Sequence, residues 1–131
     1  MEENEIIEEN PIVTDELQKT IDTTLIKLRE RNPKTRIHAI AVKGDPDYDD
    51  KNVYVGYFCE PSIKTFSKYM SFLSNNQQVP GMRALATDCF LEGDRELIDD
   101  ESLFLFGLMG QLTKLIEMRH GQLVNLSAAR K

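Results

Sequence analysis

A short set of side chains in this 131-residue chain has types and spacings that could do chemistry: Cys59, Cys89, His38, His120 and the acidic run Asp45, Asp47, Asp49. A thiol beside an imidazole makes a nucleophile–base pair, so Cys59 or Cys89 with His38 is the covalent arrangement on offer. The sequence adds no orienting acid and no glycine-rich turn for an oxyanion hole. The two cysteines lie far apart and form no CxxC pair. They read as reduced, packed thiols, the ordinary condition of free cysteine inside a cell. The alternating aspartates resemble the opening ligands of a calcium loop, which requires Gly at the sixth position and Glu at the twelfth. Counted from Asp45, those positions hold Asp50 and Gly56, so the run reads as a solvated turn. Two histidines without a third ligand make no zinc site. No GxxxxGK[ST] or GxGxxG loop signals a nucleotide. The expectation is a non-enzyme with no catalytic residue, no metal and no cofactor.

Charge narrows the partners. The chain carries 22 acids against 16 Lys and Arg, a net charge of −6, and residues 1–16 hold seven of those acids and no base. The remainder is close to neutral, which argues against a nucleic-acid partner, because phosphate binding needs clustered cations. Arg29, Arg31, Lys34 and Arg36 do cluster. They read as a solvated patch, a site for an acidic partner, or a partner for the chain's own acidic start. No apolar run approaches the roughly 18 residues of a membrane span, and the start has no apolar signal segment. A cytoplasmic protein without a membrane partner is expected.

The elements that must position these residues follow from periodicity. Residues 1–13 read as an acidic, disordered tail and 14–131 as a single domain. Asp15 with Gln18 suggests a helix start, Leu17, Ile21, Leu25 and Leu28 give one apolar face, and Asn32-Pro33 stops the helix. Residues 35–43 are rich in β-branched types and read as a strand. The turn formers of residues 44–52 lead into a second strand, Val53–Cys59, and the two pair as an antiparallel hairpin. Val53, Val55, Tyr57 and Cys59 face one way, and Tyr54, Gly56 and Phe58 the other. Pro61-Ser62 opens a helix whose face is Phe66, Tyr69, Met70 and Leu73. Met82, Leu85, Ala86 and Cys89 repeat the spacing on a third helix that Gly93-Asp94 ends. Asp99, Asp100 and Glu101 supply acid to the start of a fourth, with a core stripe of Leu105, Leu108, Leu112, Leu115 and Ile116. Arg119 and His120 suit its end, and Leu123 onward reads as a frayed turn. The predicted fold is α+β, ordered α-β-β-α-α-α.

Leu103, Phe104, Phe106 and Met109 widen the fourth helix's stripe beyond one face. That helix is either the centre of the core or a surface for self-association or a partner. The partner-binding candidates are Phe66, Met70, Phe104, Phe106 and Met109. A lone hairpin is marginal, so helices must cover it, or a second copy must extend the sheet along an edge at Val53, Val55 and Tyr57.

Over residues 54–116 the pattern resembles small phage tail assembly chaperones. The residues that carry the likeness are the aromatic strand Tyr54, Tyr57 and Phe58 running into Pro61, the helix 63–73, and Leu85. Asp88-Cys89-Phe90-Leu91 with Gly93-Asp94 follows, then Asp99-Asp100 and the apolar stretch 103–116. The resemblance covers about half the chain and brings no catalytic motif. It implies a non-enzymatic protein that holds a long helical tape measure protein soluble during virion assembly, gripping its amphipathic helices through exposed apolar groups. The acidic N-terminus and the first helix depart from the pattern. They leave open a self-associating minor virion structural or connector protein, and a small cytosolic ligand-binding domain.

Overall fold

The computed structural model describes residues 12–117 and 121–124. Residues 1–11 of the tail expected over 1–13, the helix-end positions Arg119 and His120, and residues 125–131 of the turn expected from Leu123 onward lie outside the described residues. The element order is α1 (Asp15–Arg31), β1 (Ile37–Lys43), β2 (Val53–Cys59), α2 (Ile63–Ser74), α3 (Gln78–Cys89), β3 (Phe90–Gly93) and α4 (Glu96–Asp99). Then come α5 (Glu101–Leu103), a π-helical turn (Phe104–Leu108) and α6 (Met109–Ile116). The fold is α+β. No helix among the described residues is long and apolar enough to cross a membrane.

Helix α1 starts one residue earlier than the Asp15–Gln18 reading. Thr14 is the cap, its Oγ1 accepting the Leu17 N–H at 3.2 Å, and Asp15 and Glu16 meet the positive helix end. Asn32 closes the helix through its side chain, which donates to the Leu28 carbonyl at 2.9 Å. The β1–β2 hairpin forms as the sequence implies, with Ile37 opposite Cys59 and Lys43 opposite Val53. Gly44 N–H bonds the Asn52 carbonyl at 2.7 Å to close the loop.

The expected two-stranded sheet is in fact three-stranded, antiparallel, in the order β1-β2-β3. Helix α3 ends at Cys89 rather than near Gly93, and the next four residues run beside β2, with Phe90, Glu92 and Gly93 paired to it and Leu91 at a bulge. Two side-chain facts account for this. The Phe90 ring meets Phe58 edge-on, centroids 5.6 Å apart, an arrangement that favours pairing. At the far end Gly93 adopts φ +117° and lies so close to β2 that a Cβ there would stand 2.4 Å from the Val55 carbonyl oxygen. Asp94 then fastens the joint. Its N–H donates to the Val55 carbonyl at 2.8 Å, its carboxylate accepts the Val55 N–H at 2.8 Å, and it pairs with Lys51.

The fourth helix is also interrupted. Asp100 leaves helical geometry (φ −85°, ψ 124°) and caps the following turn, accepting the Leu103 N–H. Five residues then take the wider π spacing, with Met109 N–H reaching back to the Phe104 carbonyl. At Gly107 the backbone comes against Val42 closely enough that a Cβ would meet Cγ1 at 2.5 Å.

Strand alternation sorts two cores onto the two faces of the sheet. Ile40, Val42, Tyr54 and Phe58 join Met82, Leu85, Leu97, Ile98, Phe104, Leu108 and Leu112 under the later helices. Ile37, Val55 and Tyr57 join Ile21 and Leu28 under α1, with Val13, Leu17 and Leu25 packed alongside.

Candidate functional site

The α2 helix carries three exposed apolar side chains on one flank. Ser62 caps it, Oγ accepting the Thr65 N–H at 3.1 Å, so helical spacing begins at Ile63. From there Ile63, Phe66 and Met70 fall at i, i+3 and i+7, on one flank. Ile63 is 87% exposed, Phe66 39% and Met70 45%. Tyr69 turns inward and is buried, its ring tilted against Phe66 at 5.7 Å. Beside this ridge runs a groove of about 330 Å³, walled by Pro61, Ser62, Ile63 and Phe66 and floored by Leu115 and Ile116 of α6. Full burial of one such side chain is worth about 1.5–3 kcal/mol, so a partner residue seated here would be held by the groove as well as the ridge.

The five residues singled out for partner binding do not form one patch. Phe66 and Met70 share the α2 ridge. Phe106 is 86% exposed but lines a separate, smaller groove with Val42, Asp45 and Ser102. Phe104 is corrected: it is fully buried, its ring under the Arg83 guanidinium at 4.8 Å, and it cannot meet a partner. It lies two residues before Phe106, and positions two apart do not share a helix face. Met109 is half-buried against the main core. The self-association edge at Val53, Val55 and Tyr57 is also corrected. These residues sit on the central strand, paired on one side with β1 and met on the other by β3 and Asp94, and they face α1. Ile63, Leu115 and Ile116 were missed as site residues. The phase 63, 66, 70 counted from the Ser62 cap would have found the first.

The acid and base clusters serve the fold. Asp49 accepts the Asp45 N–H at 2.7 Å and Asp45 accepts the Asp47 N–H at 2.9 Å, so these carboxylates hold their own loop. Arg29 donates to the Ile37 carbonyl at 3.2 Å, Arg36 pairs with Glu60 at 3.0 Å, and Arg31 approaches Glu92 at 3.9 Å. His38 lies 3.5 Å from Glu60, within ion-pair range, yet its Nε2 is shut from solvent and not aligned for a hydrogen bond. It lines the grooves beside α1, not the wall that holds the cysteines.

Cys59 and Cys89, both free, share that wall. Cys59 is half-buried and Cys89 is 1% exposed. A hydrogen bond from the Cys89 thiol lowers the Cys59 pKa to about 7, helped by the Cys59 backbone N–H and opposed by burial. The same bond, with burial and the nearby charge of Asp88, pushes the Cys89 thiol up.

Comparisons with family models, with curated proteins and with solved structures return no match to this chain. The fold and site define its class as an α+β domain with an apolar helix ridge and groove on its surface.

Proposed function

We propose that this chain is a non-enzymatic assembly protein that holds an amphipathic helix of a long helical client, in the manner of a phage tail assembly chaperone acting in the host cytoplasm on a tape measure-like tail protein. The observation that carries the reading is the α2 ridge of Ile63, Phe66 and Met70 beside the groove floored by Leu115 and Ile116. A ridge at i, i+3 and i+7 matches the apolar spacing of a client helix laid across it. Such a client exposes an apolar stripe until its final partner covers it, and a shallow groove suits temporary cover.

A second reading, a self-associating minor virion protein, draws support from the sheet. Its long outer strand is β1, so a second copy pairing edge to edge would use residues 37–43. One experiment separates the two. Tagged wild type and an Ile63→Asp/Phe66→Asp double variant are captured from phage lysate, and co-purifying proteins are identified by mass spectrometry. The chaperone reading expects a long helical tail protein with wild type, lost in the variant while its circular dichroism is unchanged. Equal recovery by both would overturn the ridge as the site. Recovery of the chain alone, with a dimeric native mass, would favour self-association.

A further inference from the structure

We propose that Cys59 and Cys89 are a thiol–disulfide exchange site that reacts with small-molecule disulfides and closes into an internal disulfide. The fold makes them neighbours although the sequence holds them apart. Phe58 and Phe90 are direct partners across the antiparallel β2–β3 ladder. One step along stand Cys59, the last residue of β2, and Cys89, the last residue of α3, and both pack into the larger core. A disulfide spans Cα atoms about 4.4–6.8 Å apart, a reach that two residues flanking one paired position can meet. Both side chains line one cavity of about 420 Å³, open to solvent and walled by Lys34, Arg36, Glu60 and Asp88. A linear disulfide can therefore reach the sulfur of Cys59.

Unequal burial assigns the roles. Cys59, the more exposed, attacks first as thiolate: its sulfur bonds one sulfur of R–S–S–R, the S–S bond breaks, and R–S⁻ leaves to take a proton from water. Cys89, held behind it, then attacks the Cys59 sulfur in the mixed disulfide. The Cys59–Cys89 bond forms, the second R–S⁻ leaves, and the Cys89 proton goes with it. Two protein thiols are oxidised and one external disulfide is reduced to two thiols. The hydrogen bond that holds Cys89 protonated needs a free Cys59 sulfur as acceptor, so capping Cys59 removes it and eases the second step. The acids beside the pair are themselves matched, Glu60 by Arg36 at 3.0 Å and Asp88 by Lys68 at 3.1 Å, which limits repulsion of the first thiolate.

The test uses the reduced, folded full chain and oxidised glutathione at neutral pH, with an acid quench and intact mass. The expected product is lighter by two hydrogens, carries no glutathione, and yields a linked Cys59–Cys89 peptide pair on digestion. The rate of glutathione release should rise with pH about an inflection near 7, below the usual thiol value of about 8.5. Cys89→Ser should stop at one glutathione adduct on Cys59, and Cys59→Ser should not react while folded. A wild-type protein that ends as a stable adduct, or that stays unreacted while the denatured chain reacts at both thiols, would overturn the proposal. The wild-type result decides even if a variant does not fold.

Discussion

The two faces of the sheet are covered unequally. On one, α1 lies alone over a small cluster of Ile21, Leu28, Ile37, Val55 and Tyr57. On the other, α2 to α6 and the π turn enclose a much larger core around Phe58, Leu85, Leu97, Phe104 and Leu112. Strand β2 belongs to both through its alternating side chains, Val55 and Tyr57 toward α1 and Tyr54 and Phe58 toward the rest. The contrast teaches where stability sits. The larger face keeps most of its apolar residues inside and leaves the α2 ridge, with Val79, Leu91 and Phe106, at the surface. The α1 face is closer to a lid that closes the sheet.

The sharpest way to break this contrast is at the larger core. Phe104→Ala removes a fully buried ring and should cost about 3–5 kcal/mol, a large part of the roughly 5–15 kcal/mol that holds such a domain, read as a fall in the urea midpoint. The matching change on the other face, Leu28→Ala, should cost less, about 2 kcal/mol, because a lone surface helix can settle into the space left. Amide exchange sharpens the same point. The α1 amides should exchange by local opening at lower free energy than those of β2. Equal protection in α1 and β2, with equal cost for the two substitutions, would mean that the faces unfold as one unit and that the lid description is wrong.

Much of this fold was legible in the sequence. The hairpin, the faces of β2 from Val53 to Phe58, and the buried stripe Met82, Leu85, Ala86 and Cys89 follow from period and turn chemistry, since each depends on neighbours near in the chain; Cys59, expected with Val53, Val55 and Tyr57, packs instead into the larger core. Strand β3 was not legible. Phe90 to Gly93 is too short to show alternation, and what makes it extended is distant: the Phe58 ring, the second edge of β2 and the Asp94 clasp. The missed strand hid two consequences. It makes β2 central, which overturns the predicted edge, and it brings the ends of β2 and α3, with Cys59 and Cys89, beside the Phe58–Phe90 pair. The π turn was illegible for a related reason. The 3.6-residue count assumes regular spacing, and the close approach of Gly107 to Val42 is a tertiary fact. The wide stripe put Phe104 and Phe106 together as one apolar surface, whereas positions two apart do not share a helix face, and the first is buried and the second exposed. The α2 ridge was half legible: Phe66 and Met70 were found, Ile63 was not.

The smallest expected effect concerns that pair of phenylalanines. Phe106 lies two residues beyond Phe104 and is 86% exposed, so Phe106→Ser should change stability by no more than about 0.5 kcal/mol. The difference between the two positions isolates what burial does, since residue type and segment are the same. The urea midpoint should be followed over a range of protein concentrations. A flat, near-wild-type midpoint would leave Phe106 as surface that the fold does not use. A loss above about 1 kcal/mol that grows with concentration would mean the ring is covered by a second copy in solution, because mass action ties stability to concentration only where copies associate. The same loss without concentration dependence would place the ring inside the monomer's core and remove the contrast with Phe104.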